Sequence, residues 1–287
     1  MKKLDLSQAV QAKRYPTKNG RYYGPKARDI YNTTPNPLKP SWTNIASIEN
    51  SPGLSEWKMR NGRWAEIDGP TAAIKGTIAH WADDKMNFGQ TVTREQVEEK
   101  VANYPDIRWK LIYSSIYPMV DDIMKMIWSY KLWYDEHQPV ILASEIMMWH
   151  KDVPYAGTAD MVCKFFSKKQ NQDIIMLIDI KTGQENEAHS VQCMAYSILF
   201  EKIYNVKVGA IGSLYTTGKW RGEEKPGKMK VKMIRNKAGE FTNDAHYLMN
   251  RVTTIYEHWL GLQKKAQPDM KRKIPTEFSL NIKKDTK

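Results

Sequence analysis

The feature that most constrains the fold of this chain is a pair of short polar motifs, each set in an apolar run. Gly157-Thr158-Ala159-Asp160 lies within an apolar stretch at 155–166, and Asp179-Ile180-Lys181 ends the apolar run that begins at 174. Side chains two residues apart on a β-strand point to the same face. The spacing therefore predicts that Asp179 and Lys181 project together while Ile180 turns toward a core.

Composition narrows the class of protein. The chain has 287 residues, a net charge of +12 and 41% hydrophobic residues, so it can form one large domain or two small ones around a sizeable core. The positive charge favours a polyanionic partner, with nucleic acid ahead of a membrane surface. A merely solubilising surface is the alternative that charge alone leaves open.

The cysteines and the apolar runs exclude some classes of protein. Only Cys163 and Cys193 are present, both in apolar surroundings, which predicts buried free thiols rather than a disulfide. Two cysteines cannot supply the four thiolates of an iron–sulfur cluster. No run reaches transmembrane length and the first residues lack a secretory apolar stretch, so we expect a cytoplasmic protein without a membrane partner.

Hydrophobic periodicity predicts helices followed by a strand-rich segment, which is an α/β fold with a helical N-terminal portion. A first short helix should begin at Ser41 or Thr43. Further helices are predicted at 54–63, 70–87, 114–137, 187–204 and 243–264, with another beginning at Thr93. Strands are predicted at 140–149, 155–166, 174–180, 208–215 and 228–234. We expect a basic, partly ordered arm at 1–39, one domain at 40–265 and a basic tail at 266–287.

The acidic residues of these strands suggest metal chemistry. Asp160 and Asp179 are candidate ligands for Mg²⁺ or Mn²⁺, which prefer oxygen ligands. Lys181 could orient an attacking water or offset charge on a transition state. Glu145, which follows an apolar run on the preceding strand, could be a further ligand or hold a metal-bound water. Each acid alone could be an ordinary surface carboxylate, but together they predict a site that hydrolyses phosphodiesters.

Two helical segments add candidates. His80 could complete the metal site as a neutral imidazole, which would favour Mn²⁺ somewhat over Mg²⁺, although a lone helical histidine is more often structural. Gly76 and Thr77 beside it would allow a phosphate to approach. Gln192 and Tyr196 lie four apart on one helix face, where Gln192 could bind a phosphate or a carboxylate and Tyr196 could stack on a base or pack in the core.

The order of these motifs resembles the RecB-like branch of the PD-(D/E)XK nuclease superfamily over roughly residues 40–215. The matching motifs are Gly76-Thr77-x-x-His80, Glu145, Gly157-x-x-Asp160, Asp179-Ile180-Lys181 and Gln192-x-x-x-Tyr196. The segment at 40–45, followed by Leu54-x-x-Trp57, is similar to the start of phage-encoded and mitochondrial genome-maintenance exonucleases of that branch. Trp42 departs from the small residue usual there. The resemblance implies a restriction-endonuclease-like core, with a mixed central sheet flanked by helices.

The resemblance also implies roles for single residues. The metal would be held by His80, Asp160, Asp179 and the backbone carbonyl of Ile180, and Lys181 would be the catalytic lysine. Expected DNA contacts are Gln192, Tyr196, Thr77 and Thr182. Some members carry an iron–sulfur cluster held by four cysteines, which is not expected here. The sequence contains no Walker A pattern, so a fused helicase is not expected either.

The leading hypothesis is a metal-dependent DNA exonuclease that acts on free, single-stranded ends in recombination, repair or replication. A phage recombination or annealing protein is a candidate partner, in a bacterial or phage-infected cell. The N-terminal helices would wall the site, with an approach lined by Lys58, Arg60, Arg63 and Lys75. The alternatives are a structure-specific endonuclease and a non-catalytic nucleic-acid-binding protein with a degenerate nuclease fold.

Overall fold

The computed structural model describes residues 12–17, 20–25, 38–49, 52–168, 170–218 and 223–266. Its helices are α1 (Trp42–Ala46), α2 (Pro52–Asn61), α3 (Ala65–Asn87), α4 (Arg94–Ala102), α5 (Ile116–His137), α6 (Glu187–Tyr204) and α7 (Asn243–Ala266). Its strands are β1 (Ala12–Thr17), β2 (Gly20–Pro25), β3 (Lys39–Pro40), β4 (Val140–Met148), β5 (Gly157–Ser167), β6 (Gln172–Lys181), β7 (Ala210–Tyr215) and β8 (Lys228–Met233).

The fold is mixed α/β, built on a five-stranded sheet in the order β4-β5-β6-β7-β8. Neighbouring strands are antiparallel except β6 and β7, which run parallel. A parallel pair needs a crossover, and α6 provides it between these two strands. The turn from β6 into α6 therefore lies at the end of the sheet where Asp179 and Lys181 emerge.

Helices cover both faces of this sheet, so its central strand is apolar on both sides. Leu177 of β6 lies in a core shared with α1, α6 and α7. Met176 and Ile178 turn the other way and pack with Tyr130 and Trp133 of α5. This alternation places Asp179 on the side of α6 and buries Ile180 on the side of α5, as the spacing predicts.

A second core joins the N-terminal helices, where apolar residues of α3, α4 and α5 pack together with Trp109 between them. Asn87 ties α3 to the sheet because its side-chain amide donates to Ser144 Oγ of β4 at 3.0 Å. The hydroxyl of Tyr130 on α5 donates to Asn87 Oδ1 at 2.5 Å. These contacts fix α3 beside the sheet and so position His80.

The sequence predictions of these elements are largely confirmed. The helix at 187–204 matches α6, and the predicted bounds of most other elements lie within a few residues of those observed. Ser41 caps α1 by accepting from the Asn44 backbone N–H at 3.2 Å, and Thr93 begins a full capping box. Cys163 and Cys193 are buried and free, as predicted. Among the described residues, no helix is long and apolar enough to cross a membrane.

One element was not predicted. The antiparallel hairpin of β1 and β2, extended by β3, lies within the segment expected to be a partly ordered arm. Its tyrosines and prolines obscure the alternation of apolar and polar residues that is typical of a strand. Asn19-Gly20 is nevertheless a pair typical of hairpin turns, and Gly20 has a φ of 106°. Residues 1–11, 26–37 and 267–287 lie outside the described chain, so the limits of the arm and the tail stay predictions.

Trp42 anchors α1 in the main core. It is fully buried and packs edge-on against Tyr155, with ring centroids 5.1 Å apart. Trp42→Ala should lower the free energy of unfolding by about 3–5 kcal/mol, because it leaves a large cavity. Chemical denaturation would measure this. Trp64, which is 60% exposed, is the control, and Trp64→Ala should change stability by less than ~0.5 kcal/mol. Equal losses in both variants would contradict the packing role of Trp42.

Candidate active site

All ten residues to which the sequence assigned a catalytic, metal-binding or DNA-binding role line one cleft of about 580 Å³. Its floor is formed by the ends of β5 and β6, one wall by α3 and the other by the β1–β2 hairpin. These residues, which come from separate segments of the chain, are Thr77, His80, Glu145, Asp160, Asp179, Ile180, Lys181, Thr182, Gln192 and Tyr196. The fold therefore brings all of them to one place.

A group of one imidazole and two carboxylates forms the first half of the site. His80 Nδ1 lies 3.6 Å from Asp160 Oδ2 and 3.9 Å from Glu145 Oε1. One ligand atom from each of these residues lies within 4.8 Å of the others, which is a geometry able to hold a metal ion. Carboxylate oxygens suit hard divalent cations, and an imidazole nitrogen suits transition-metal ions.

Glu145 reaches this group through an unusual backbone conformation. Its φ of 47° lies in the left-handed region, which is uncommon for residues other than glycine and is concentrated at functional sites. The β4–β5 register places Ser144 opposite Met161 and Ile146 opposite Ala159, so Glu145 lies across from Asp160. A register shift between Ile141 and Ala143 precedes it. No sequence signal marked this conformation.

The second half of the site is built around Asp179, which is only 1% exposed. Lys181 Nζ lies 2.5 Å from Asp179 Oδ2, and the Gln192 amide donates to Asp179 Oδ1 at 3.0 Å. The same Gln192 nitrogen donates to the Tyr196 hydroxyl at 3.3 Å. Tyr196 is itself buried, so it packs in the core and supports Gln192 as well as bordering the cleft.

The backbone of Ile180 connects the two halves. Its N–H donates to Asp160 Oδ2 at 2.6 Å, and its backbone also hydrogen-bonds the imidazole of His80. Asp179 and Asp160 are close enough to affect each other's pKa. Asp179 and the Ile180 carbonyl thus lie beside the His80, Glu145 and Asp160 group, and their role as metal ligands stays a prediction.

The site holds more buried acid than its single lysine can neutralise. Burial, followed by the charge of Asp160, raises the pKa of Glu145 to about 7, and burial raises the pKa of Asp179 to about 6 against the effect of Lys181. Burial, followed by Lys181, lowers the pKa of His80 to about 4, so its imidazole is neutral at pH 7. Burial by itself would lower the pKa of Lys181, but the negative charges of Asp179 and Asp160 outweigh this effect, so the pKa is raised. A neutral imidazole and carboxylates can each donate a lone pair to a divalent cation, whose charge would offset the buried acids.

Sequence reasoning missed several groups around this cleft. Asp84 lines it, and its neighbour Asp83 is 1% exposed with no hydrogen-bond partner for either carboxylate oxygen among the described residues. Burial raises the pKa of Asp83 well above its usual value, with Asp160 and Glu145 adding to the effect. Their spacing from His80 along α3 was the available signal. Arg14, Arg21 and Tyr23 of the hairpin also line the cleft.

None of the four residues expected to form a basic approach lines the cleft. Lys75 is held in the helical layer, where its amine lies 3.0 Å from Asp122 and 3.1 Å from the Tyr113 hydroxyl. Lys75 thus has its charge paired by a carboxylate of α5, and its role in an approach stays a prediction. Lys58, Arg60 and Arg63 are exposed but lie outside the residues that line the cleft.

Metal binding should depend on pH. The metal must displace protons from Glu145 and Asp179, whose raised pKa values are about 7 and about 6, so affinity should fall as the pH drops below 7. A ligand at 100 times its Kd adds ~2.7 kcal/mol to the free energy of unfolding, so saturating Mn²⁺ should raise the melting temperature by several degrees at pH 7.5. At pH 5.5, where binding is weaker, the increase should be much smaller.

Differential scanning calorimetry in Mn²⁺ and in EDTA would measure this. Glu145→Gln should remove most of the increase at pH 7.5. Asp173→Asn is the matched control, because Asp173 lies on β6 but pairs with Lys164 outside the cleft. An equal loss of the Mn²⁺ effect in both variants would count against the site.

Gly157 controls the position of Tyr196. A Cβ at this position would overlap the Tyr196 ring, whereas a Cβ at Gly183, also in the cleft, would meet no described atom within 4 Å. Gly157→Ala should therefore displace Tyr196 and Gln192 and cost about 1–3 kcal/mol of stability. Gly183→Ala should change little. Denaturation together with Mn²⁺ titration would compare the two variants, and equal behaviour would show that the overlap relaxes without consequence.

Comparison with known proteins gives no family for the chain. A scan against models of known protein families finds no match, and a search of curated proteins likewise finds none. The functional interpretation therefore depends on the side chains and the geometry of the cleft.

Proposed function

We propose that this chain is a metal-dependent deoxyribonuclease of the RecB-like PD-(D/E)XK type, which removes nucleotides from free ends of single-stranded DNA. The observation that carries the proposal is the position of Lys181, whose amine lies 2.5 Å from Asp179 in the cleft that also gathers His80, Glu145 and Asp160. A metal-ligand group beside a charged lysine is the equipment for phosphodiester hydrolysis.

The order of the strands supports this assignment of the core. The motif residues emerge from an antiparallel β4-β5-β6 meander that continues through the α6 crossover to the parallel strand β7. A mixed sheet flanked by helices is what the resemblance implies for a PD-(D/E)XK core, and here Asp160 and Asp179 lie on inner strands of the sheet. We assign the chain to that fold on these grounds.

Each residue has a defined task in this proposal. His80, Glu145 and Asp160, with Asp179 and the Ile180 carbonyl beside them, would hold Mg²⁺ or Mn²⁺, which when bound polarises the scissile phosphate and makes water a better nucleophile. Lys181 stays protonated because carboxylates surround it, and it offers positive charge to the developing charge of the transition state. Gln192 fixes Asp179, so the ion pair keeps its orientation.

The substrate is inferred from charge and from size. A net charge of +12 favours a polyanion over a neutral ligand. The cleft of about 580 Å³ lies within the ~300–1,000 Å³ range of small-ligand pockets, which suits a stretch of single strand far better than a duplex. Thr77 and Thr182 line the cleft, which supports the expectation that they contact such a strand.

The decisive experiment measures cleavage of end-labelled linear and circular single-stranded DNA with Mg²⁺, Mn²⁺ or EDTA. We expect the linear strand, but not the circle, to be degraded when metal is present. Lys181→Ala should lower the rate of cleavage by at least ~10²-fold, because the transition state loses its charge partner. Lys164→Ala is the matched control, since Lys164 also pairs with an aspartate on a strand of this sheet but lies outside the cleft.

The other outcomes separate the alternatives. Cutting of circles would identify a structure-specific endonuclease with the same chemistry. Salt-sensitive binding without cleavage in either metal would indicate a degenerate, non-catalytic fold, and activity that survives thorough chelation would exclude the metal mechanism. Equal activity in Lys181→Ala and Lys164→Ala would remove Lys181 from the mechanism.

A further inference from the structure

The hairpin wall of the cleft carries positive charge that the catalytic proposal does not use. Arg14 on β1 and Arg21 on β2 both line the cleft, as does His80 of α3. Tyr23, which is 2% exposed, lies beneath the guanidinium of Arg14. The hairpin therefore places two guanidinium groups beside the candidate metal ligands.

Neutral hydroxyl groups hold both arginines in place. Arg14 donates to Thr158 Oγ1 at 3.3 Å, and its guanidinium lies 5.8 Å from the centre of the Tyr23 ring. The Tyr23 hydroxyl lies 3.0 Å from the same Thr158 oxygen. Arg21 donates to Thr43 Oγ1 at 3.2 Å, and Thr43 Oγ1 lies 2.9 Å from Ser41 Oγ.

This arrangement leaves donors available. Neither arginine has a carboxylate partner within salt-bridge distance in the part of the chain that the structure describes. Each guanidinium carries five N–H groups in a fixed fork, and the hydroxyl contacts use only part of them. The remaining donors match phosphate oxygens, which guanidinium groups bind in bidentate fashion.

We propose that Arg14 and Arg21 form a phosphate clamp, which holds the backbone of a single DNA strand beside the metal ligands. They are positioning residues: the clamp fixes the strand while the floor of the cleft carries the chemistry. The proposal rests on the proposed function for the identity of the strand, but binding alone can test it.

The test measures the affinity of a fluorescent single-stranded oligonucleotide against salt concentration, in the Lys181→Ala background with Mg²⁺ so that the strand stays uncut. Each lost phosphate contact lowers the slope of log affinity against log salt by about 0.7 for single strands. Arg14→Ala and Arg21→Ala should each show this loss, and the double variant should lose about 1.4.

Lys13→Ala is the matched control, because Lys13 is the neighbouring cation on β1, lies over the Tyr15 ring at 5.7 Å and does not line the cleft. It should leave the slope unchanged. Arg14→Lys should keep the slope but weaken binding, because it keeps the charge and loses the fork. With Lys181 intact, the double variant should raise KM more than it lowers kcat. Melting temperatures would identify any alanine variant that unfolds. In that case the affinity of Arg14→Lys, which should be lower than that of the unsubstituted hairpin, tests the clamp.

The outcomes distinguish the clamp from the catalytic proposal. An unchanged slope in both arginine variants, or an equal change in Lys13→Ala, overturns the clamp even if the wild-type chain cuts DNA. An arginine-dependent slope in a chain that never cuts DNA supports the clamp and overturns the nuclease. A wild-type chain that does not bind the oligonucleotide overturns both.

Discussion

The burial of acidic groups around a single lysine is the constraint on which the rest of this structure depends. Asp160, Asp179 and Glu145 meet at one end of the sheet, and burial raises the pKa of each of them. Carboxylates placed there cost free energy in the metal-free protein unless they are protonated or paired with a cation. Such an arrangement is expected where a bound cation compensates the buried acids.

The main chain of β6 converts core packing into site geometry. Ile180 buries its side chain against α5, while its N–H holds Asp160 and its backbone contacts His80. Its neighbours in the chain, Asp179 and Lys181, point the other way toward α6. The apolar residues that order the strand thereby also fix the distances between the chemical groups.

Charge is divided between the parts of the cleft. Its floor is acidic and would bind a cation, and its hairpin wall bears arginines held by hydroxyl groups. A phosphodiester strand needs both: metal ions at the bond that is cut and donors along the rest of the backbone. In the proposed function, two separate sheets, the β1–β3 sheet and the five-stranded sheet, would therefore act on one substrate.

The sequence by itself determined most helices and strands and the alternation at Asp179, Ile180 and Lys181. These features depend on local periodicity, which a chain carries wherever it folds. Short motifs also singled out the residues that the fold gathers in the candidate site. Only the tertiary structure decided that Glu145 turns into the left-handed region to meet His80, that Asp122 engages Lys75, and that Arg14 lies over the cleft. The reason is physical: contacts between distant segments depend on how whole elements pack, and no short window of sequence contains that information.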